Sequence, residues 1–600
     1  MRLPLWLSAS CWNGLAIALL ATSAALGAEP KNAHSVRANP DDQRARTLVE
    51  EALAAESAGD TEARDAKLKQ AIELAPKLPS AHWAAGQVQL HGHWVSLSEA
   101  EKRASHDPTW QQYCELRDSK PSGAASEEEL AVWCRKHKLT GQAGVHWRRV
   151  LTGDPENAEA LKELNLHWFQ DVLRTSAEIA ELKRQEVQVS KATAHWQPKL
   201  VAWRRDVQSK HAPTAEKARE GIRTIDDPAV IPVFETLLTH NSPDNNDPAF
   251  STEVTRSLGK LHGQAVNAVL VRLALRARWD ETRREATRQL STRELIDYAP
   301  YALSLLRSPI QHASRIFFGP DGNIYYYSRN RQNNIDAEDL RENLDETVLQ
   351  VVGRAKPEEF EVDIEKRLKI KQVQQFWDSK MIAEQNAVWA GEVQNARDLF
   401  RANAQVDQGN DPQDWWDWWV DFNELQNSSD KPLRQSWQTC AMPGYIGGLS
   451  CFVAGTKVST QTGLRPIEEI KPGDAVLAQD PQTGELAYQC VLATTIRPPS
   501  PLRKLTVDGE EISATRGHRF WRDGRGWQMA KFLTAGGLLH TVSGALPITA
   551  VEDAGEDQAY NLVVENFHTY FVGEHRILVH DNSAPKPVLG PVPGLSLAEQ

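Results

Sequence analysis

The sequence predicts a multi-domain protein in which an α-helical repeat region is followed by an all-β domain. Three observations predict it. A chain of 600 residues has room for about four folding units. From residue 29 to about 175, Ala, Glu, Leu and Lys recur at helical spacing and one phrase comes twice, and a second helical repeat follows. After Ser450 the helical periods give way to short alternating apolar runs separated by Gly- and Pro-marked turns.

Composition sets the outer limits. Lys and Arg total 68 against 80 Asp and Glu, a net charge of −12, so the summed field repels polyanions and disfavours nucleic-acid binding. With 41% hydrophobic residues, 35 Gly and 32 Pro, most of the chain is expected to fold.

Residues 1–28 read as a cleaved signal peptide: Arg2 is followed by the apolar stretch Leu15 to Leu20 and by small residues from Ser23 to Ala28. The polar interruption Ser8 to Asn13 leaves that core too short to span a bilayer. The expected location is therefore secreted or periplasmic, with no membrane association after signal removal. Export permits disulfides. Cys114 and Cys134, 20 residues apart, are expected to pair, closing a loop worth roughly 3 kcal/mol, with two buried free thiols as the alternative.

Within residues 29–175, Ala71-Ile72-Glu73-Leu74-Ala75-Pro76 with Ser80-Ala81-His82-Trp83-Ala84 is echoed by Val150-Leu151-Thr152-Gly153-Asp154-Pro155 with Glu159-Ala160-Leu161. The two copies lie 79 residues apart. Each resembles the tetratricopeptide helical hairpin, a helix ending at a proline and a second opening just beyond it. Residues 176–310 repeat differently: Ala218 to Ile225, Val254 to Leu261 and Arg284 to Leu290 share an Arg, a small residue and a closing Ile or Leu. They are similar to HEAT-type repeats, with an irregular helical domain as the alternative. Such surfaces imply protein partners.

Residues 311–425 combine three expectations. Phe317 to Tyr327, two aromatic runs about Pro320-Asp321-Gly322, read as a β-hairpin. Asp336 to Asn403 reads as long exposed helices. Trp415, Trp416, Trp418 and Trp419 form one helical face, expected to pack on the neighbouring domain rather than to bind a ligand. Residues 426–450 read as a linker.

Residues 451–582 carry the chemistry. Cys451-Phe452-Val453-Ala454-Gly455-Thr456 precedes Pro466-Ile467-Glu468-Glu469-Ile470 and Gly473-Asp474, and Thr515-Arg516-Gly517-His518 follows. Tyr560 to Val564, Phe567 to Val572 and Ile577 to His580 complete the order. Together these resemble a Hint domain, the self-processing fold of Hedgehog proteins and inteins, in the form attached to bacterial polymorphic toxins. Only 42 residues separate His518 from Tyr560, too few for an inserted homing endonuclease.

The resemblance implies an N-to-S acyl shift. Cys451 attacks the carbonyl of Ser450, His518 protonates the leaving nitrogen, and Thr515 orients the peptide. The protein would thus cleave itself between Ser450 and Cys451, an intramolecular autoprocessing rather than turnover, with no cofactor. At the other end inteins finish in His-Asn before Ser, Thr or Cys, whereas this chain has His580-Asp581-Asn582-Ser583. Either Asp581 stands where the cyclising Asn belongs, or Asn582 does and Asp581 replaces the penultimate His. Cleavage or splicing at that end is expected to be slow or absent, and His568 could assist as the family's upstream histidine. Residues 583–600 form a Pro-rich tail too short for an effector, so the part released would be the helical region, residues 29–450.

The alternative reading is a non-catalytic secreted scaffold retaining an inactive Hint fold. Toxin delivery would need a downstream effector. No metal is expected: His91-Gly92-His93 lacks further spaced ligands, and Asp244 to Asp247 lacks the Gly and distal Glu of a calcium loop.

Overall fold

A computed structural model of the chain describes residues 40–595 except 91, 122, 171, 240–246, 321–322, 334–337, 348–356, 425–432, 436–450 and 584–589. The signal peptide, most of the linker with Cys440 and Ser450, His91 and Asp244 to Asn246 lie outside the described residues. Two compact units emerge: residues 27–181 with 422–426 and 446–600, and residues 182–421 with 427–445.

The first unit opens with an antiparallel helix pair, α1 (Pro40–Ser57) and α2 (Thr61–Leu74), the latter capped by Asp60 accepting from the Ala63 N–H at 3.0 Å. Next come α3 (Pro79–Ala84), the hairpin β1 (Gln87–Leu90) and β2 (His93–Ser96), then α4 (Leu97–Ser105), α5 (Pro108–Ser119), α6 (Ala124–Lys136) and α7 (Thr140–Gly153). The pattern returns in α8 (Ala158–Glu163), β3 (Leu166–Phe169), β4 (Val172–Thr175) and α9 (Ser176–Val207). The 79-residue echo therefore marks a repeated structural unit, but the second helix of each copy runs only six residues before a β-hairpin begins. Gly86 (φ 71°) and Asn165 (φ 52°) occupy the equivalent left-handed positions. They end α3 and α8 after little more than a turn, where a tetratricopeptide helix would continue.

The expected Cys114–Cys134 disulfide is absent; both are free thiols. Cys134 is buried beside Trp110, Tyr113 and Ala143, with Cys114 in the same cluster, so both act as small apolar side chains packing α5 against α6.

In the second unit, α10 (Ala212–Arg223) with α11 (Ile231–Thr239), α12 (Pro248–Lys260) with α13 (Gln264–Arg276), and α14 (Asp280–Leu290) with α15 (Ala299–Leu305) follow as successive helix pairs. Glu220 and Arg223, Glu253 and Arg256, and Glu285 and Arg288 recur three apart on α10, α12 and α14. Arg223 reaches Glu253 at 3.0 Å and Arg256 reaches Glu285 at 3.7 Å, one ion pair per step.

The hairpin expected near Phe317 is present as β5 (Gln311–Phe318) and β6 (Ile324–Asn333). The helical expectation from Asp336 onward is corrected at its start. Glu338–Thr347 is a strand, β7, paired residue by residue with the tyrosine-rich β6, and Tyr327 donates to Glu342 at 2.7 Å. Cross-strand pairing outweighs the helical propensity of its Glu and Leu residues. The helix α16 (Pro357–Ala404) follows, then α17 (Pro412–Asn423), whose Trp415 and Trp419 are buried, Trp415 stacking on Phe400 of α16. Trp415 and Trp419 are thus core, while Trp416 and Trp418 are half-buried. Inside the expected linker, Leu433–Gln435 forms a short strand, β8, beside β7.

The all-β domain rejoins the first unit. It comprises β9 (Phe452–Val453), β10 (Lys457–Thr460), β11 (Gly463–Pro466), β12 (Ala475–Gln479), β13 (Leu486–Val507), β14 (Glu510–Thr515), β15 (Arg519–Arg522), β16 (Gly526–Met529), β17 (Leu538–Thr541), β18 (Gly544–Val564), β19 (Thr569–Val572) and β20 (Ile577–His580). β13 and β18 pair along most of their length and bend together around Arg497 to Ser500. Their inward side chains, with Phe452, Phe520 and Tyr570, make one apolar core.

This domain is not a free appendage of residues 40–181. Asp474, almost wholly buried, accepts from Arg117 of α5 at 2.7 Å, and Gln142 of α7 donates to the Gly473 carbonyl at 3.3 Å. The tail likewise docks. Pro591 accepts from the Gly524 N–H at 3.0 Å, and Val592 is fully buried among residues of α1 and α2. Among the described residues no helix is long and apolar enough to cross a membrane.

Candidate active site

The two residues of β9 are held between β14 and β18, with Phe452 opposite Ala514 on one side and Tyr560 on the other. That insertion carries Cys451 to the end of β14, fully buried beside Thr515. The Cys451 N–H donates to Thr515 Oγ1 at 2.9 Å, and the Thr515 N–H donates to the Cys451 carbonyl at 2.8 Å. The chain then turns, with the His518 N–H on the Thr515 carbonyl at 2.9 Å. At Gly517 a Cβ would sit 2.5 Å from the Asn423 carbonyl oxygen, so only glycine allows this turn. The His518 ring is fully buried, 4.1 Å from Phe452 and 5.5 Å from Phe520 between centroids.

Burial pushes the Cys451 thiol up to about 12, opposed by the Arg497 cation. At neutral pH it is a protonated thiol whose proton must leave as the sulfur attacks. Tyr570, also fully buried, is held well above its ordinary value by burial and by the fields of Cys451 and Asp581. Its hydroxyl donates to Asn561 Oδ1 at 2.7 Å, which also accepts from the Leu562 N–H at 2.7 Å. Neither Tyr570 nor Asn561 was singled out by sequence. The available signal was a lone amide inside the apolar run Tyr560 to Val564, since a buried amide needs partners.

The hairpin of β19 and β20 brings the C-terminal residues to the same core, with Thr569 opposite His580. His580 Nδ1 lies 2.8 Å from the Asp581 carbonyl oxygen, and its ring meets Trp527 edge-on at 5.0 Å. Burial lowers this imidazole to about 4, so it is neutral near pH 7. Burial alone would raise the Asp581 carboxyl, yet it is held below its ordinary value by His568, His580, Ser583 and the Val564 N–H. Val564 donates to it at 2.7 Å, His568 Nδ1 stands at 3.5 Å, and the N–H of Ser583 donates at 2.8 Å.

Two groups of expected site residues are thus assembled: Cys451, Thr515 and His518, and His568, His580, Asp581 and Ser583. Asn582 belongs to neither. Its N–H donates to the Leu562 carbonyl at 2.8 Å and its side-chain amide to Thr495 at 3.3 Å. Of the rejected metal motifs, Asp247 caps α12, accepting from Ala249 and Phe250.

Residues 457–582 match the family model described as the pretoxin HINT domain. No curated protein matches the chain. Among solved structures, a bacterial intein-like domain from Clostridium thermocellum is 39% identical over 22% of this chain and 98% of its own, with a TM-score of 0.21. A DnaB intein from Synechocystis sp. PCC 6803 is 21% identical over 22% of this chain and 98% of its own, with a TM-score of 0.20.

Proposed function

From a chain whose residues 457–582 form a Hint domain, we propose self-cleavage between Ser450 and Cys451. The observation that carries this reading is the reciprocal pair of hydrogen bonds between Cys451 and Thr515, one of them on the nitrogen of the bond to be broken. Cys451 Sγ attacks the Ser450 carbonyl carbon. The carbon–nitrogen bond breaks, a thioester forms, and the thiol proton reaches the departing nitrogen through His518. Water then hydrolyses the thioester, leaving a carboxylate on Ser450 and the free thiol on Cys451.

At the C-terminal end the contact of His580 with the Asp581 carbonyl supports the alignment in which Asp581 holds the cyclising position and His580 is the penultimate histidine. A carboxylate is a poor cyclising nucleophile, so that bond stays intact. The site is exported by the signal peptide, and the helical repeats bind a protein partner. Cleavage does not free residues 29–450, because Arg117, Gln142 and the α1–α2 pair keep hold of the domain and its tail.

Intact-mass measurement of the purified chain, with and without dithiothreitol, tests the proposal. A thiol-accelerated break before Cys451 that Cys451→Ala abolishes is the expected result. Cleavage persisting at that bond in Cys451→Ala overturns it.

A further inference from the structure

Apart from the cleavage site, three buried side chains from distant parts of the first unit meet at one point. Glu56 lies in the last turn of α1, Asp523 directly follows β15, and His540 lies in β17. All three are buried, and one ligand-type atom from each lies within 4.8 Å of the others. His540 Nδ1 stands 2.6 Å from Glu56 Oε1 and 3.7 Å from Asp523 Oδ1.

The hydrogen-bond network fixes which ring nitrogen carries the proton. Gln479 donates through Nε2 to the Gly484 carbonyl at 3.2 Å, so the oxygen of its amide is the atom that faces His540 Nε2, at 2.7 Å. His540 Nε2 must therefore be the N–H donor, and in the neutral ring the Nδ1 lone pair points at two carboxylates. A cation between them would engage all three groups. A proton on Nδ1 would serve Glu56 only. Both Asp523 oxygens, with no exposed side-chain surface, would still have no hydrogen-bond partner.

We propose that Glu56, Asp523 and His540 bind a first-row divalent cation, zinc by preference, that ties α1 to the Hint domain. One imidazole and two carboxylates are a donor set that zinc accepts, whereas calcium needs six or more oxygens and magnesium keeps several waters. Bonds of about 2.05 Å place tetrahedral ligands about 3.3 Å apart. The 2.6 and 3.7 Å separations bracket that value, so small side-chain shifts admit the ion. The bond from Nε2 to Gln479 is the outer contact that ordinarily fixes a metal-binding imidazole. Arg64, 2.6 Å from Glu56 Oε2, holds the other carboxylate oxygen and leaves Oε1 for the metal. A cavity of about 30 Å³ bordered by Glu56 and His540 has room for a water as the fourth ligand.

The test uses the untagged full chain carrying Cys451→Ala, which stays intact and offers no thiol at the cleavage site. After exposure to zinc chloride and desalting, elemental analysis should find one zinc per chain, and thermal unfolding should shift upward with zinc. Asp523→Asn, nearly isosteric, should fold with an unchanged circular dichroism spectrum, lose at least nine-tenths of the zinc and show no zinc-dependent shift. Cobalt(II) in place of zinc should give the intense visible absorption of a tetrahedral site. A metal-free parent chain, or zinc retained undiminished in Asp523→Asn, overturns the proposal. So does an Asp523→Asn chain that responds to zinc as the parent does.

Discussion

Cys451 and Thr515 hold each other through two hydrogen bonds, the Cys451 N–H on Thr515 Oγ1 at 2.9 Å and the Thr515 N–H on the Cys451 carbonyl at 2.8 Å. Removing the hydroxyl leaves a buried N–H without its acceptor. Thr515→Ala should cost about 1–3 kcal/mol of stability and slow cleavage before Cys451 by at least tenfold, while Thr515→Ser retains most of both. Denaturant unfolding and timed electrophoresis of the two variants check this.

In the proposed mechanism His518 acts by proton transfer. His518→Gln should slow thioester formation by about a hundredfold or more, since that is what a positioned acid supplies. Hydroxylamine, which attacks thioesters, should then release correspondingly less of the fragment ending at Ser450. Equal release from the variant and the parent would remove His518 from the mechanism.

The proposed alignment puts the Asp581 carboxylate in the place of a cyclising amide. Asp581→Asn should liberate the peptide from Asn582 to Gln600, because His580 already touches the Asp581 carbonyl at 2.8 Å. The unmutated chain should keep that peptide covalently attached. Mass spectra of both report the outcome. Release after Asn582 instead would assign the cyclising role to that residue.

His580 makes stability depend on pH. Burial lowers it from 6.5 to about 4, so as pH falls the unfolded chain takes up the proton first. Its contribution is complete above pH 6.5 and is lost progressively toward pH 4, about 3 kcal/mol in all. Asp581, held below its ordinary 3.8, adds a separate loss at still lower pH. Unfolding at stepped pH should show the upper decline in the parent and not in His580→Gln.

Cleavage should leave two pieces that stay together. Arg117→Ala removes the 2.7 Å partner of the buried Asp474 and should weaken the association of the cleaved fragments by about 3 kcal/mol. Arg465 at 3.2 Å and the Lys471 N–H at 2.9 Å still hold the carboxylate, which keeps the loss from being greater. Size-exclusion chromatography of cleaved protein should give one peak for the parent and two for Arg117→Ala on dilution.

Local patterns determined the element types. Alternating apolar residues with Gly-marked turns give strands wherever they occur, so the all-β domain, the hairpin about Pro320-Asp321-Gly322 and the packed face of Trp415 and Trp419 could be read directly. The order of Cys451, Thr515 and His518 named the first chemical group, because each sits within a short motif. Long-range pairing decided the rest. β7 became a strand through contact with β6, and Gly86 and Asn165 turned two expected helices into hairpins by a backbone sign that sequence only weakly encodes. The thiols of Cys114 and Cys134 stayed apart because an aromatic core claimed them. Asp581 acquired its partners through the β19–β20 hairpin and the end of β18, within 17 residues, whereas Glu56 met Asp523 and His540 only through folding across hundreds of residues: buried polar groups must find partners, and no local rule says where those partners come from.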